Sequence, residues 1–328
     1  MKRLLAVALS LSLVALVSMT AGLRHIPLAD YLAALTHYDP TNPAHVTLRT
    51  VRLPRLIAGL IAGGALGIAG TVMQAVTRNP LADPGLLGVN AGAAFALLLG
   101  TILIGGVGAA DVAWLTFPGA ALAALAVFTL GGGLGGDAGP VRLTLAGAAL
   151  NAFLLSLVTA VVLVRQDTLD TMRFWVAGSL SMAAARPLGS MAIAAIAGAA
   201  IALLAAPRIE ALSLGDALAR GLGTRPGAVQ AVALIAVTLT TGAAVAVAGP
   251  IAFLGLMVPP LARMVAGHDM HRTLIAAALI GAAVLVAADV LGRLILAPGE
   301  VRVGVMTALI GGPVFIWVAR RLRPGAAT

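Results

Sequence analysis

Two arginines in the segment "VRLPR" have the types and spacing that point most directly to a chemistry. Arg52 and Arg55 are three positions apart, so on the first turn of a helix their guanidinium groups share one face. A guanidinium offers paired N–H donors that match the two oxygens of a carboxylate. The pair therefore either anchors the helix to lipid headgroups, which is the usual role of such arginines, or forms a docking site for carboxylates of an external partner. Arg293 would add a third contact, or would instead pair with Asp289 one turn earlier.

The stretch "RNPLADPGLLGVNAGA", residues 78–93, places charged, polar and turn-forming residues between two long apolar segments. Pro80 and Pro84 favour a turn, and Asn79 offers side-chain donors and acceptors to backbone groups without partners. A break of this kind between membrane helices needs protein or a water-filled cavity around it. It is therefore either an ordinary turn between helices or a constriction at the mouth of a pathway.

The segment "EALSLGDALARGLGTRPGA", residues 210–228, is the longest connection predicted on the inner side of the membrane. Asp216 and Arg220 have the i,i+4 spacing of a helical ion pair, and Gly221 and Gly223 end the helix. The pattern predicts one or two short amphipathic helices outside the bilayer. Such a helix fits a groove on a partner protein, or else it lies among lipid headgroups.

Several chemistries are excluded or disfavoured by the residue types. The chain contains no cysteine, and Lys2 is its single lysine, so it has neither thiolate chemistry nor the lysine of a P-loop. His268 and His271 lie in a basic turn beside Asp269, and no His, Asp or Glu cluster falls within an apolar segment, so no metal site is expected. No catalytic triad or carboxylate pair converges, which disfavours an enzyme. An ion-coupled carrier would need an acid near the middle of the membrane, and Asp289 is nearer the outer end.

The elements that must position these residues are transmembrane helices. Of the 328 residues, 60% are hydrophobic and only 10% are charged, which is typical of a polytopic all-α membrane protein. A window of about 19 residues finds ten spans, near 4–22, 56–76, 86–105, 112–131, 143–164, 189–206, 228–248, 251–266, 274–296 and 303–319.

The orientation follows from the basic residues in the connections. Ten spans place both termini on one side, and assigning that side to the cytoplasm puts twelve Lys and Arg inside against nine outside, as the positive-inside rule favours. The basic, apolar N-terminus could be a cleaved signal peptide. Its apolar run, residues 4–22, is long enough to cross a bilayer, so an uncleaved first helix is favoured.

The chain also resembles itself. Gly63, Gly70 and Pro80 align with Gly242, Gly249 and Pro259 at a constant offset of 179. Five spans separate the two copies, so they would cross the membrane in opposite senses, as the inverted repeats of transporters do. We therefore expect one transmembrane domain over residues 1–328, with a first repeat at about 56–165, a second at about 228–320 and a cytoplasmic coupling segment at 210–226.

Taken together, the motifs resemble the FecCD family of ABC-importer permeases, the type II importers for iron-siderophores, haem and cobalamin. The resemblance begins with "RLPR", "GGALGIAGTVMQ" and "RNPLADPGLLGVNAGA", and continues through "LAGAALNAF", "FWVAGSL", "LSLGDALARGLG", "GPIAFLGLMVPPLAR", "AADVLGR", "PGEVRVG" and "GGPVFIWV". It covers nearly the whole chain. The sequence departs from the family pattern at Pro260, where a histidine is common, and at Arg302, where a proline is common.

The resemblance implies functional residues at three places. Those that dock a periplasmic binding protein are Arg52, Arg55 and Arg293. Those that couple the permease to an ATPase are Leu212, Ser213, Leu214, Gly215, Asp216, Ala217, Arg220, Leu222 and Gly223. Those of a cytoplasmic gate are Asn79, Pro80, Leu81, Gly139, Pro140, Val141 and Arg142.

The resemblance also implies a type II ABC importer permease fold and a set of partners. A homodimer of permeases would lie in the bacterial inner membrane with both termini cytoplasmic, two ATPase subunits below it and the binding protein above. The permease would be no enzyme and would hold no cofactor, metal or nucleic acid, since ATP is bound by the partner subunit. A ferric siderophore is the favoured substrate, with haem or cobalamin as the alternative and ion-coupled transport as a more distant one.

Overall fold

The computed structural model describes residues 2–22, 26–105, 107–133 and 139–321, and within these ranges all regular structure is helical. In chain order the helices are α1 Lys2–Thr20, α2 Leu28–Thr36, α3 Pro43–Thr47, α4 Leu53–Thr77, α5 Val89–Ile104, α6 Ala109–Leu130, α7 Pro140–Val164, α8 Gln166–Val176, α9 Leu188–Ser213, α10 Asp216–Gly221, α11 Pro226–Ala248, α12 Leu254–Ala266, α13 Met270–Ile295 and α14 Val303–Arg321. A π-helical turn, Leu48–Arg52, leads into α4, and short 3₁₀ turns occupy Pro84–Leu87 and Ala183–Ala185.

Among the described residues, seven helical segments are long and apolar enough to cross a membrane. They are Lys2–Thr20, Pro43–Thr77, Ala109–Leu130, Val141–Val164, Leu188–Ser213, Pro226–Ala248 and Met270–Ile295. Val89–Ile104, Leu254–Ala266 and Val303–Trp317 are shorter apolar helices. Each of the ten predicted spans overlaps one of these segments, so the all-α polytopic architecture is confirmed.

Helix α4 forms the centre of the bundle, where it packs against α9, α11, α12 and α13. Its glycines bring backbones into direct contact. A Cβ added to Gly63 would lie 2.4 Å from the carbonyl oxygen of Gly281, and one added to Gly67 would lie 2.2 Å from that of Ala277. Close approach of backbones matters in a membrane, because lipid tails are as apolar as leucine and van der Waals packing drives helix association.

The two ends of the bundle carry different groups of residues. Helices α4 and α13 are antiparallel, since Gly63 meets Gly281 while Arg55, earlier on α4, meets Asp289, later on α13. The start of α4 and the end of α13 therefore share one end, called here the Arg52 end. The end of α4, the turn that follows it and α10 lie at the opposite end, called here the Asp216 end.

The two chain breaks identified in the sequence lie at opposite ends of the bundle. After α4 the backbone turns at Arg78, which has φ +51°, and after α11 it turns at Gly249, with φ +74°. Pro80 lies in the turn after α4, whereas Pro259 lies inside α12. The two prolines are therefore not equivalent positions, and the repeat at offset 179 stays a prediction.

Candidate functional site

The three arginines predicted to dock a partner come together at the Arg52 end. Arg52 ends the π-helical turn, Arg55 lies in the first turn of α4, and Arg293 lies in the last turn of α13. They line one pocket of about 350 Å³ together with Glu300. The three arginines are thus close together, as the sequence predicted, although Arg52 and Arg293 are 241 residues apart in the chain.

Most of their hydrogen-bonding capacity is taken up inside the chain. The Arg55 Nε lies 2.9 and 3.0 Å from the two carboxylate oxygens of Asp289, and its Nη1 lies 2.7 Å from Oε2 of Glu300. The Arg293 Nε lies 3.2 Å from Oδ2 of Asp289, as the alternative of a pair within α13 predicted. Asp289 is 2% exposed, and Glu300 is 35% exposed. Among the described residues of this cluster, three guanidinium groups face two carboxylates, so positive charge is in excess.

The other two arginines tie the N-terminal helices to the bundle. The Arg52 Nη1 donates to the carbonyl oxygen of Thr20, at 3.1 Å, and to the hydroxyl of Tyr31, at 2.6 Å. The Arg293 Nη2 donates to the hydroxyl of Ser18, at 2.9 Å. Arg52 is only 4% exposed. The Arg52 guanidinium is therefore held by contacts within this chain.

The predicted coupling segment consists of the end of α9, a turn and α10, and it lies at the Asp216 end. Leu212 is buried and anchors the segment, whereas Leu214, Leu218 and Leu222 are 59%, 60% and 64% exposed. Leu214 lies in the turn before α10, Leu218 on α10 and Leu222 directly after it; these three exposed leucines are called here the leucine row. Leu218 was not among the coupling residues predicted from the sequence, although it lies within the predicted coupling segment at 210–226. The row is an apolar surface that a partner's groove could cover.

The remaining predicted coupling residues fill the turn and the short helix. Gly215 has φ +109°, a conformation that favours glycine. Ser213 is partly exposed, and Ala217, Arg220 and Gly223 are exposed. Of residues 212–223, only Leu212 and Ala219 are buried. The rest of the segment is at least partly exposed at the Asp216 end.

Asp216 pairs with Arg78 and not with Arg220, which corrects the pairing predicted from the i,i+4 spacing. The Arg78 Nη2 and the Asp216 Oδ1 are 2.5 Å apart, and both side chains are about one-third exposed. The partner comes from the turn after α4, 138 positions earlier in the chain. The ion pair thus connects the coupling segment directly to the predicted gate.

The predicted gate residues lie in the turn after α4 and at the start of α7, both at the Asp216 end. In the first, Oδ1 of Asn79 accepts a hydrogen bond from the Leu81 N–H at 2.9 Å, and Pro80 and Leu81 are exposed. The Asp83 carboxylate closes this turn by accepting from the Gly85 N–H at 2.8 Å. Burial raises the pKa of Asp83, and the Gly85 N–H opposes that shift.

The second set of predicted gate residues lies at the start of α7. Gly139 precedes the helix, and Val141 and Arg142 are exposed on its first turn. The side chain of Pro140 lies outside the described part of the structure. No group of three or more His, Asp or Glu side chains among the described residues could hold a metal ion.

Known proteins of similar sequence match this chain over nearly its whole length. The chain is 44% identical over 310 residues to the ferric enterobactin transport system permease protein FepD of Escherichia coli (strain K12), covering 94% of this chain and 92% of that protein. It is 39% identical to the iron(3+)-hydroxamate import system permease protein FhuB of Bacillus subtilis (strain 168), covering 96% of this chain and 82% of that one.

A solved structure of a metal-chelate type ABC transporter in an inward-facing conformation has the same fold. It superposes with a TM-score of 0.80 at 26% sequence identity, covering 98% of this chain and 99% of that chain. The FecCD transport family matches residues 10–321. The sequence motifs, the bundle of apolar helices and these relatives agree, and the chain belongs to the FecCD transport family.

Proposed function

We propose that this chain is the transmembrane permease of an ATP-driven importer for a ferric chelate, with a ferric siderophore as the favoured substrate. A periplasmic binding protein delivers the chelate to the Arg52 end, and two ATPase subunits dock at the Asp216 end. Two copies of the chain form the permease in the bacterial inner membrane, with both termini cytoplasmic. The observation that carries the proposal is the exposed leucine row beside the Arg78–Asp216 ion pair, at the end of the bundle opposite the arginines.

The residues supply a route from ATP to the gate. The leucine row fits into a groove on the ATPase, so closure of the two ATPases moves α10. Asp216 on α10 holds Arg78, and Arg78 is followed directly by the gate residues Asn79, Pro80 and Leu81. A shift of α10 therefore moves the turn after α4 and changes the balance between its open and closed positions. Val141 and Arg142 of the other turn complete the gate across the homodimer.

Docking at the Arg52 end takes place by exchange of carboxylates. Glu300 is the partly exposed partner of Arg55, whereas Asp289 is buried beneath it. A carboxylate of the binding protein replaces Glu300 on the Nη1 of Arg55. Arg52 and Arg293 supply the excess positive charge that attracts it.

Haem or cobalamin as the cargo remains the second candidate, since all three substrates would use the same docking and coupling surfaces. The ion-coupled carrier is disfavoured by position. Such a carrier needs an acid near the middle of the membrane, whereas Asp289 lies at the Arg52 end of α13, in ion pairs with both Arg55 and Arg293.

The proposed function is tested by uptake into proteoliposomes that contain the permease, its cognate ATPase and its binding protein. Ferric siderophore, haem and cobalamin are offered separately, with ATP or a non-hydrolysable analogue inside. We expect accumulation of the ferric siderophore that needs hydrolysable ATP and no ion gradient. Uptake that follows an imposed proton or sodium gradient without ATP would overturn the proposal, and accumulation of haem or cobalamin alone would change the substrate.

Charge reversal of the Arg78–Asp216 pair tests the coupling route. We expect Arg78→Glu or Asp216→Arg alone to lower ATP-driven uptake by about tenfold, and the two together to recover most of it. Stability should change by no more than about 1 kcal/mol, because exposed ion pairs contribute little. Initial uptake rates and thermal unfolding are the measurements.

The matched control for the swap uses the pairing that the sequence alone favoured. Arg220→Asp combined with Asp216→Arg keeps the i,i+4 pair of opposite charges but leaves Arg78 facing another arginine. This double variant should stay as impaired as Asp216→Arg. Recovery with Arg220→Asp, or no loss from any single reversal, would remove the Arg78–Asp216 pair from the mechanism.

A further inference from the structure

A pocket of about 270 Å³ lies at the Asp216 end, between the end of α9 and the start of α11. Arg208 lines it from the last two turns of α9, and Arg225, the residue directly before α11, lines it from the other helix. None of the residues described in its lining is acidic. Two positively charged side chains therefore share one small cavity. The rest of the described lining is Ala205, Gly223, Thr224, Ala228, Val229 and Val232.

The two described carboxylates nearest to these arginines in sequence are engaged elsewhere. Glu210 is two positions after Arg208, about 200° further around the helix, and its Oε2 accepts the N–H at the start of α13 at 3.2 Å. Asp216 is held in its ion pair with the turn after α4. No hydrogen bond or ion pair within the described part of the chain uses the guanidinium group of Arg208 or Arg225. The pocket therefore keeps its positive charge.

The pocket is continuous with an apolar surface of the bundle. Leu204, one turn before Arg208 on the same face of α9, is 81% exposed, and Ile235, three positions after the pocket residue Val232, is 51% exposed. Both lie in apolar helices that are long enough to cross a membrane. Exposed apolar side chains in such a segment face acyl chains. A charged cavity next to an apolar surface matches the headgroup and the tails of a lipid.

The charge of the lining indicates which headgroup fits. Guanidinium groups bind phosphate through paired, charge-assisted N–H donors, and basic pockets between transmembrane helices on the cytoplasmic side bind anionic lipid headgroups. A zwitterionic headgroup also carries an ammonium group, which finds no acidic partner in the described lining. The start of α11 at the same pocket adds to the preference, because a helix N-terminus favours an anion.

We propose that Arg208 and Arg225 bind the phosphate of an anionic phospholipid whose acyl chains lie along Leu204 and Ile235. This site goes beyond the proposed function, which bears on it in one respect only. The assignment of the Asp216 end to the cytoplasm places the lipid in the cytoplasmic leaflet.

The lipid site adjoins the predicted coupling segment. Gly223 belongs to both. Thr224, which also lines the pocket, closes the end of α10 by donating its hydroxyl and its N–H to the carbonyl oxygen of Ala219, at 2.6 and 3.0 Å. A bound headgroup therefore holds the end of the coupling segment at the membrane surface.

The test is lipid binding to the purified permease–ATPase complex in detergent, followed by native mass spectrometry. Phosphatidylglycerol and phosphatidylcholine with the same acyl chains are titrated separately, and the dissociation constant of the first lipid bound per permease is measured. We expect the wild type to bind phosphatidylglycerol more tightly. Arg208→Gln and Arg225→Gln should each weaken its binding by about tenfold, the size expected for one lost charge-assisted contact. Binding of phosphatidylcholine should not change.

The matched control is Arg272→Gln, since Arg272 is an exposed arginine in the first turn of α13, at the same end but outside the pocket. This variant should bind both lipids like the wild type. Thermal unfolding with and without phosphatidylglycerol is the second measurement, because a ligand of the folded state raises the Tm. That rise should be smaller in both pocket variants. Equal losses for the two lipids, or no loss in a pocket variant that folds, would overturn the inference.

Two outcomes would identify a different occupant of the pocket. If excess inorganic phosphate displaces phosphatidylglycerol from the wild type, the arginines bind a free anion and the lipid site fails. If Arg208→Gln and Arg225→Gln bind both lipids like the wild type but lose the ATPase on gel filtration, the arginines bind carboxylates of the ATPase, and the lipid site fails again.

The lipid site and the proposed function can fail separately. If the pocket variants lose phosphatidylglycerol as expected but the wild type imports nothing with ATP, the proposed function fails and the lipid site stands. If the wild type imports a ferric chelate and the pocket variants bind phosphatidylglycerol unchanged, only the lipid site fails.

Discussion

Replacing Arg55 with glutamine is expected to lower the free energy of unfolding by about 3–5 kcal/mol, the range for removal of one partner from a buried ion pair. The substitution leaves the Asp289 carboxylate, which is 2% exposed, with only the Arg293 Nε at 3.2 Å. A buried charge without adequate partners is costly because it has lost its water. Unfolding of the purified protein in mixed micelles with increasing SDS, followed by tryptophan fluorescence, measures the change.

Two companion variants identify the cause of that loss. Arg55→Gln with Asp289→Asn should recover part of the stability, because the stranded carboxylate is then neutral. Glu300→Gln should cost less than about 1 kcal/mol, since Glu300 is exposed enough for water to replace Arg55. An Arg55→Gln protein as stable as the wild type would show that the buried network contributes nothing to the fold.

The same contacts decide how docking can be tested. Reversing the charge of Arg55 would destabilise the protein, so a loss of binding-protein docking in that variant would not show that Arg55 touches the partner. Glu300→Gln is the better test, because it frees the Nη1 of Arg55 and leaves Asp289 paired. If a carboxylate of the binding protein takes the place of Glu300, docking should become tighter in this variant.

Replacing Gly67 with alanine is expected to destabilise the bundle by about 1–3 kcal/mol, the usual cost of overpacking a core. The new Cβ would lie 2.2 Å from the carbonyl oxygen of Ala277, and backbone cannot move aside as a flexible side chain can. Helices α4 and α13 must therefore separate along their central contact. Since α4 also packs against α9, α11 and α12, the shift spreads through the bundle.

Gly64→Ala is the matched control on the same helix. A Cβ at Gly64 would lie 3.4 Å from the carbonyl oxygen of Ala278, which is an ordinary contact. Alanine has the better helix propensity, so this variant should be neutral or up to about 1 kcal/mol more stable. The same SDS titration applied to both variants checks the pair, and equal effects at the two positions would mean that close backbone contact does not hold α4 against α13.

The sequence alone determined the architecture and the family of this protein. Ten apolar segments predict ten helices because a bilayer leaves backbone groups no partners except those within a helix, and each segment overlaps an apolar helix of the structure. The breaks at Arg78–Asn79 and at Gly249 were also readable, since proline and glycine punctuate a helix locally. The motifs were long enough to indicate the FecCD family before any contact was known.

Only the tertiary structure decided which side chains meet. Local spacing predicted that Asp216 pairs with Arg220, but its partner is Arg78, 138 residues away. Arg55 finds Asp289 and Glu300 at separations of 234 and 245 residues. The spacing of residues along the chain determines which side chains share a face of one helix. The partner of a charged side chain depends instead on which helices are neighbours. Close packing of small residues such as Gly67 along α4 determines which helices are neighbours.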